Sequence, residues 1–285
     1  PSIRTRSAMS LAVALFSLVP QATVATNTPR VERFDPRFDA LVPLDAQLTK
    51  IADGFGWAEG PLWNPATNEL FFSDVVKNRL HAWSARAGTR LVLEHSGYTG
   101  SAPFAGREPG SNGLTLDGEG RLVFCQHGER RISRLEKDGT RTVLVERHPN
   151  VPEGKRLNSP NDLVYSRSGE LYFTDPPYGL PKNFDDPRRE LDFCGVYRLA
   201  TDGKVTLLTK ELTRPNGIAV SPDGHVFVGS VGIRDGDCDV YRDAIRAELA
   251  RWPGSEVIWC QEEPRNMGPW PMFCQWFAES LPELR

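Results

Sequence analysis

The chain has 285 residues, 34 basic and 37 acidic, for a formal net charge of −3, and 39% of it is hydrophobic. That length suits one large β domain folded as a single unit. Nearly balanced charge leaves no basic footprint for nucleic acid and no skew of the kind that keeps a chain disordered.

In chain order, residues 1–25 read as an export signal. Arg4 and Arg6 form a positive flank, Leu11 to Val19 is an apolar run too short to span a bilayer, and Thr23-Val24-Ala25 offers small residues for cleavage. This predicts a periplasmic or secreted protein with no membrane attachment in its mature form; a buried N-terminal strand is the alternative. Residues 26–47 are rich in Pro and charge and read as a linker. Leu48 to Ala52 predicts a short strand of the kind that closes a ring of blades.

From there the chain repeats. Glu59-Gly60-Pro61-Leu62-Trp63 leads to Leu70-Phe71-Phe72-Ser73-Asp74, and Asn112-Gly113-Leu114-Thr115-Leu116 leads to Leu122-Val123-Phe124. Asn161-Asp162-Leu163-Val164-Tyr165 leads to Leu171-Tyr172-Phe173-Thr174-Asp175, and Asn216-Gly217-Ile218-Ala219-Val220 leads to Val226-Phe227-Val228. The opening residues are 53, 49 and 55 apart. Within each of the first three periods two further strands follow: Arg79–Trp83 and Arg90–Leu93, Arg131–Leu135 and Thr142–Val145, Gly195–Leu199 and Val205–Leu208. Ala87-Gly88, Asp138-Gly139 and Asp202-Gly203 mark the hairpin turns between them. Four strands in a period of about 50 residues describe one blade of a β-propeller, so residues 48–230 predict an all-β propeller of four-stranded antiparallel blades. A plain solenoid of hairpins is the alternative. Radial repetition would carry the polar opening residues Glu59, Asn112, Asn161 and Asn216 towards one end of a central channel.

Two long loops, 94–111 and 176–194, interrupt the pattern and predict a lid or substrate wall. None of Cys125, Cys194, Cys238, Cys260 and Cys274 forms a Cys-x-x-Cys pair or a zinc spacing, and the odd count leaves at least one outside any intramolecular pair. From about Val231 the repeat is lost: residues 231–285 hold four of the seven Trp and three of the five Cys, with a short helix expected over Asp243 to Trp252. This divergent tail reads as a truncation, a frame shift, or a capping extension.

Glu59, Asn161 and Asn216 offer one carboxylate and two carboxamides. These are hard oxygen donors suited to Ca²⁺, then Mg²⁺. With only one full charge among them, a further Asp or Glu is expected. A cation at a channel mouth suggests metal-assisted hydrolysis. No Gly-x-Ser-x-Gly nucleophile is present. His127 is a candidate proton shuttle, with a hydrogen-bonded structural role as the alternative.

Glu59-Gly60-Pro61, Ser111-Asn112-Gly113-Leu114, Ser159-Pro160-Asn161-Asp162-Leu163, Tyr172 to Gly179 and Pro215-Asn216-Gly217-Ile218 together resemble the gluconolactonase, regucalcin (senescence marker protein) and strictosidine-synthase-like group, and most of all bacterial gluconolactonases. The resemblance covers about residues 48–230. It implies six blades, one divalent cation (usually Ca²⁺, with Mg²⁺ or Zn²⁺ as other candidates) and hydrolysis of a sugar lactone such as glucono-1,5-lactone. Carried over by position, Glu59, Asn161 and Asn216 become metal ligands, and Asn112, Asn161, Asp162 and Tyr178 line the substrate. The family's aspartate in a Pro-Asp-Gly of the next repeat, ligand and base, has no counterpart here: Pro222-Asp223-Gly224 falls on a hairpin turn of the fourth repeat. A non-catalytic calcium-binding propeller and an esterase-like or strictosidine-synthase-like propeller are the competing functions.

Overall fold

In the computed structural model the described residues are 31, 33, 36–149, 154–221 and 223–230. The export signal, the tail from 231 onward and Cys238, Cys260 and Cys274 lie outside them. The chain falls into two compact units, residues 1–53 and 54–285.

In the first unit a 3₁₀ turn spans Pro36–Ala40. Arg33 organises it, donating to Asp39 Oδ1 at 2.7 Å and to the Val42 carbonyl at 2.9 Å. The strand expected over Leu48 to Ala52 does not form. Its side chains find no ladder partner among the described residues, and Leu48 and Ile51 stay 58% and 45% exposed.

Among its described residues the second unit contains three four-stranded antiparallel meanders and a two-stranded sheet, each in sequence order. The first holds β1 (Ala58–Asn64), β2 (Glu69–Asp74), β3 (Arg79–Ser84) and β4 (Gly88–Glu94). The second holds β5 (Ser111–Leu116), β6 (Leu122–Gln126), β7 (Arg131–Leu135) and β8 (Arg141–Val145). The third holds β9 (Leu163–Tyr165), β10 (Leu171–Asp175), β11 (Gly195–Leu199) and β12 (Val205–Thr209), and the last β13 (Pro215–Val220) with β14 (Val226–Ser230). The Asp-Gly turns form as expected, with Gly139 and Gly203 both at φ +85°. Only 3₁₀ turns interrupt the β structure among the described residues.

The opening strands β1, β5, β9 and β13 lie side by side in that order. This is the arrangement of successive propeller blades, in which first strands face the axis. Alternate side chains of facing sheets bury each other between blades. Phe71, Leu80, Leu114, Leu122 and Phe124 fill the space between the first two blades. Val123, Ile132, Leu163, Leu171, Phe173 and Tyr197 fill the next, with Tyr197 stacked on Phe173 at 5.0 Å.

Candidate functional site

Three of the four inner strands, β1, β5 and β13, carry a β-bulge at or next to the opening residue, while β9 pairs with β10 without one. Ladder pairing steps from Glu59↔Ser73 to Leu62↔Phe71, from Ser111↔Gln126 to Leu114↔Phe124, and from Pro215↔Ser230 to Ile218↔Val228. An extra residue therefore falls at Gly60-Pro61, Asn112-Gly113 and Asn216-Gly217. A bulge breaks the strict in-out alternation and re-aims a side chain, which is how strands otherwise committed to packing present a polar residue at their tips. The glycines follow from crowding. A Cβ on Gly60, whose φ is +57°, would meet the Asn112 carbonyl oxygen at 2.2 Å, and one on Gly113 would meet Asp162 Oδ1 at 2.5 Å.

Hydroxyls clip the blades together at the same level. Ser73 Oγ donates to the Asn112 carbonyl at 2.8 Å, and Thr174 Oγ1 to the Asn216 carbonyl at 2.6 Å. Cys125 holds the equivalent position in the second blade, and there the Gly113 N–H donates to the Asn161 carbonyl at 2.8 Å. Asn112, Asn161 and Asn216 are thus held in neighbouring strands by their own backbones.

Two carboxylates that the sequence reading passed over anchor the approach to these openings. Asp74, wholly buried, accepts the Gly56 and Trp57 N–H groups at 3.0–3.2 Å, just ahead of Glu59. Asp175, equally buried, accepts the Asn158 N–H at 2.8 Å and the Ser159 N–H at 2.8 Å, just ahead of Asn161. Burial pushes the Asp175 carboxyl up to about 7, against the pull of those two donors and of Arg130 and Arg189. Both residues end the second strand of a blade, so the recurrence of Phe-Ser-Asp and Phe-Thr-Asp was the readable signal.

Asp162 stands where the other repeats carry glycine. Its Oδ2 accepts the Ile218 N–H and its Oδ1 the Leu163 N–H, each at 2.9 Å, so its carboxylate bridges β9 to β13. Burial raises its pKa while these two bonds oppose the rise. Around Glu59, Oε1 accepts the Trp57 indole N–H at 2.8 Å.

Behind Asn161 lies His127, wholly buried. Its Nε2 is 3.5 Å from Asn161 Nδ2 and its Nδ1 is 3.1 Å from Glu108 Oε2. Glu108 comes from the long loop 94–111 and has no counterpart in the repeat, so nothing in the sequence marked it. The second long loop covers the same histidine: a Cβ on Gly179 would lie 2.6 Å from His127 Cβ. Tyr178, next to it, has a buried hydroxyl with no hydrogen-bond partner among the described residues, and burial pushes its pKa up to about 12.

The structure therefore joins Asn161 to His127, ties Asp162 to the strand that Asn216 opens, and places Glu59 and Asn112 on adjacent strands. Among the described residues no three His, Cys, Asp or Glu side chains converge. The oxygen donors of Glu59, Asn161 and Asn216 fit a hard cation in kind, with a single full charge. Asp223 adds none, since it lies in the turn closed by the Gly224 N–H to Ser221 carbonyl bond, 3.0 Å, and its carboxylate is 3.0 Å from His225 Nδ1.

Known proteins resemble this chain in sequence and fold. The gluconolactonase of Zymomonas mobilis is 40% identical over 197 residues, 68% of this chain and 54% of that protein. The solved gluconolactonase of Xanthomonas campestris superposes with a TM-score of 0.57 at 34% identity, over 69% of this chain and 61% of that one. A pentonolactonase of Haloferax volcanii is 25% identical over 237 residues, 68% of this chain and 72% of its own. The chain thus spans about half the length of the Zymomonas enzyme. Residues 238–284 match a different family, the 2-oxoglutarate dehydrogenase C-terminal region, and the loss of the repeat near residue 231 falls at the junction of the two matches. Residues 57–230 match the SMP-30/gluconolactonase/LRE-like region, and with the fold and the bulged openings in place the chain belongs to that family.

Proposed function

We propose that the openings of β1, β5, β9 and β13 form a divalent-cation site that hydrolyses a sugar lactone, with glucono-1,5-lactone as the first candidate and Ca²⁺ ahead of Mg²⁺ or Zn²⁺. The observation that carries this reading is the recurrence of a polar residue at the opening of each inner strand, beside a β-bulge in three of the four, in a chain 40% identical to a gluconolactonase. A lactone and its polyol hydroxyls are neutral oxygen groups, so the site needs hard donors and hydrogen-bonding side chains rather than a cationic cleft.

Glu59, Asn161 and Asn216 would hold the cation, which supplies Lewis-acid polarisation of the lactone carbonyl. Asn112 and the Tyr178 phenol would hydrogen-bond the substrate's hydroxyls; a buried hydroxyl without a partner among the described residues costs free energy that a ligand partner would recover. Asp162 acts on substrate through the strands it bridges, since both its oxygens already hold backbone N–H groups. The six-bladed count belongs to the same proposal, as does a periplasmic or secreted setting, which rests on residues 1–25.

The test is base consumption at constant pH with glucono-1,5-lactone, corrected for spontaneous hydrolysis, before and after chelation and with Ca²⁺ restored. Turnover that vanishes with chelator and returns with Ca²⁺ supports the proposal. Chelator-insensitive turnover refutes the cation's role, and calcium binding with no turnover favours a binding propeller. Hydrolysis of aryl esters but not lactones would replace the substrate class.

A further inference from the structure

Two arginines meet on one ring at the end of the sheets where the inner strands open. Phe184 stands in the second long loop, and the guanidinium carbon of Arg189 lies 5.3 Å from its ring centroid, that of Arg214 4.9 Å. Both are cation–π distances. The arginines come from different elements. Arg189 belongs to the loop that leaves β10 just after Thr174-Asp175, and Arg214 immediately precedes β13, whose second residue is Asn216. The 2.6 Å bond from Thr174 Oγ1 to the Asn216 carbonyl sets both departures at the level of the openings. Each arginine is anchored. Arg189 Nε donates to Oδ1 of the buried Asn158 at 3.3 Å, and the Arg214 carbonyl accepts the Ser230 hydroxyl at 3.1 Å.

Among the described residues neither guanidinium has an ion-pair partner. Asp186 and Glu190 of the same loop are engaged elsewhere, with Arg188 at 3.0 Å and Arg130 at 3.3 Å, and the oxygens of Asp175 hold the Asn158 and Ser159 N–H groups. Two positive charges on one ring repel each other, and an anion between them reverses the sign of that interaction. Beside them lies the Tyr178 hydroxyl, buried and without a hydrogen-bond partner among the described residues. The Arg214 charge acts on that hydroxyl, and both arginines act on the Cys194 thiol, so these groups form one cluster. A guanidinium only donates, and a phenol beside a cation is a donor too. The complement of such a set is a group that only accepts and carries negative charge, and the planar fork of a guanidinium matches a carboxylate. A neutral lactone has no use for these two charges.

We propose that Arg189, Arg214 and the Tyr178 hydroxyl form a carboxylate subsite beside the cation openings, so that the lactone this chain prefers is that of a sugar diacid, with a free carboxylate at the end away from the ring carbonyl. This rests on the proposed lactone hydrolysis and moves its preference from neutral to anionic lactones. The openings take the ring carbonyl and its hydroxyls, and the arginine pair takes the far carboxylate. The subsite binds and orients; no bond is made or broken there. Charge-assisted hydrogen bonds from a guanidinium to a carboxylate change an affinity by about tenfold or more.

Titration calorimetry on the full chain with Ca²⁺ compares glucaro-1,4-lactone with glucono-1,4-lactone, which differ only in a carboxylate in place of the terminal hydroxymethyl group. The expected result is that the acid lactone binds about tenfold or more tightly than the neutral one. That preference should fall below about threefold in Arg214→Gln and in Arg189→Gln. It should persist in Arg86→Gln, an exposed arginine in the turn between β3 and β4. Equal affinity of the wild type for the two lactones overturns the proposal, and this comparison needs no variant. A preference kept in both Gln variants also overturns it, since the charge is then read elsewhere. Gluconate bound as tightly as the acid lactone, with the same dependence on Arg214, assigns the pair to the product's own carboxylate and removes the diacid. Hydrolysis rates of the two lactones separate this proposal from the reading it rests on. An Arg214-dependent preference in binding with no hydrolysis of either refutes the lactonase and keeps the subsite. Hydrolysis of both at equal kcat/KM keeps the lactonase and refutes the subsite, and a chain that neither binds nor hydrolyses them refutes both.

Discussion

Replacing Asp175 by Asn keeps the shape of a wholly buried side chain and removes its charge. In the native site the two carboxylate oxygens accept the Asn158 and Ser159 N–H groups, both at 2.8 Å. An Asn offers one acceptor and one NH₂, so one of those donors is left facing another donor, at a cost of about 1–3 kcal/mol. Opposing this, burial pushes the native carboxyl up to about 7 from 3.8. A folded pKa above the unfolded one means that the folded chain binds more protons between about pH 4 and pH 7. Asp175 therefore contributes most below pH 4 and progressively less as pH rises to 7, by roughly 4 kcal/mol for a shift of about three units. The Asn variant does not titrate. The expected outcome is that the stability gap between wild type and Asp175→Asn is widest near pH 4 and shrinks, or reverses, by pH 7. Urea unfolding of both proteins at pH 4, 5, 6 and 7 measures it, and other carboxyl groups cancel in the difference. A gap that stays constant or widens with pH would show that Asp175 remains ionised in the fold, with its backbone donors outweighing desolvation.

Three further predictions follow from the geometry of the openings. Glu59→Gln should weaken calcium binding more than Asn112→Ala, because Glu59 is the single carboxylate among the four opening residues; equal affinities by calorimetry would remove Glu59 as the principal ligand. Gly60→Ala puts a methyl 2.2 Å from the Asn112 carbonyl oxygen at φ +57° and should cost about 3 kcal/mol or more, read as a lowered urea midpoint. A near-native midpoint would mean that the two inner strands are less closely packed than described. Thr174→Val removes the donor to the Asn216 carbonyl and should cost about 1 kcal/mol, with weaker calcium binding if this clip holds Asn216 in place.

The strands were legible because each carries its own apolar pattern and the pattern recurs, so that Leu70-Phe71-Phe72, Leu171-Tyr172-Phe173 and their partners fall where expected. Leu48 to Ala52 shows the limit of such a reading. Local propensity makes a segment extended, but a strand also needs an edge to pair with. The opening residues were legible by register, whereas the bulges that re-aim them depend on how two strands count against each other. Asp162 entered the candidate site through its place beside Asn161 in the family pattern, yet its oxygens satisfy backbone donors of two strands. Glu108 reaches His127 from a loop outside the repeat, and only tertiary folding brings the pair to 3.1 Å.

The chain as it stands should be a weak lactonase. Glu59 is the one carboxylate among the four opening residues, Asp162 beside Asn161 has both oxygens on backbone N–H groups, and no group of three His, Cys, Asp or Glu that could hold a metal occurs among the described residues. Oxygen sites for Ca²⁺ are tuned over orders of magnitude by ligand charge count, so a lost carboxylate should cost at least about tenfold in affinity. The aspartate that the family resemblance places in the next repeat would also serve as base, and after residue 230 the sequence turns instead to the 2-oxoglutarate dehydrogenase C-terminal match at 238–284. Asp223, bound up in its hairpin turn with His225, cannot replace it without unmaking that turn. A chimera in which residues 231–285 are exchanged for the segment that follows the matched region in the Zymomonas mobilis gluconolactonase should gain both a charged ligand and a base. The expected result is tighter calcium binding and a rise in calcium-dependent lactone turnover, with Glu59→Gln abolishing the gain. If the unaltered chain hydrolyses the lactone at a rate comparable to the chimera, the donor set at these four openings is sufficient, and the argument from charge count fails.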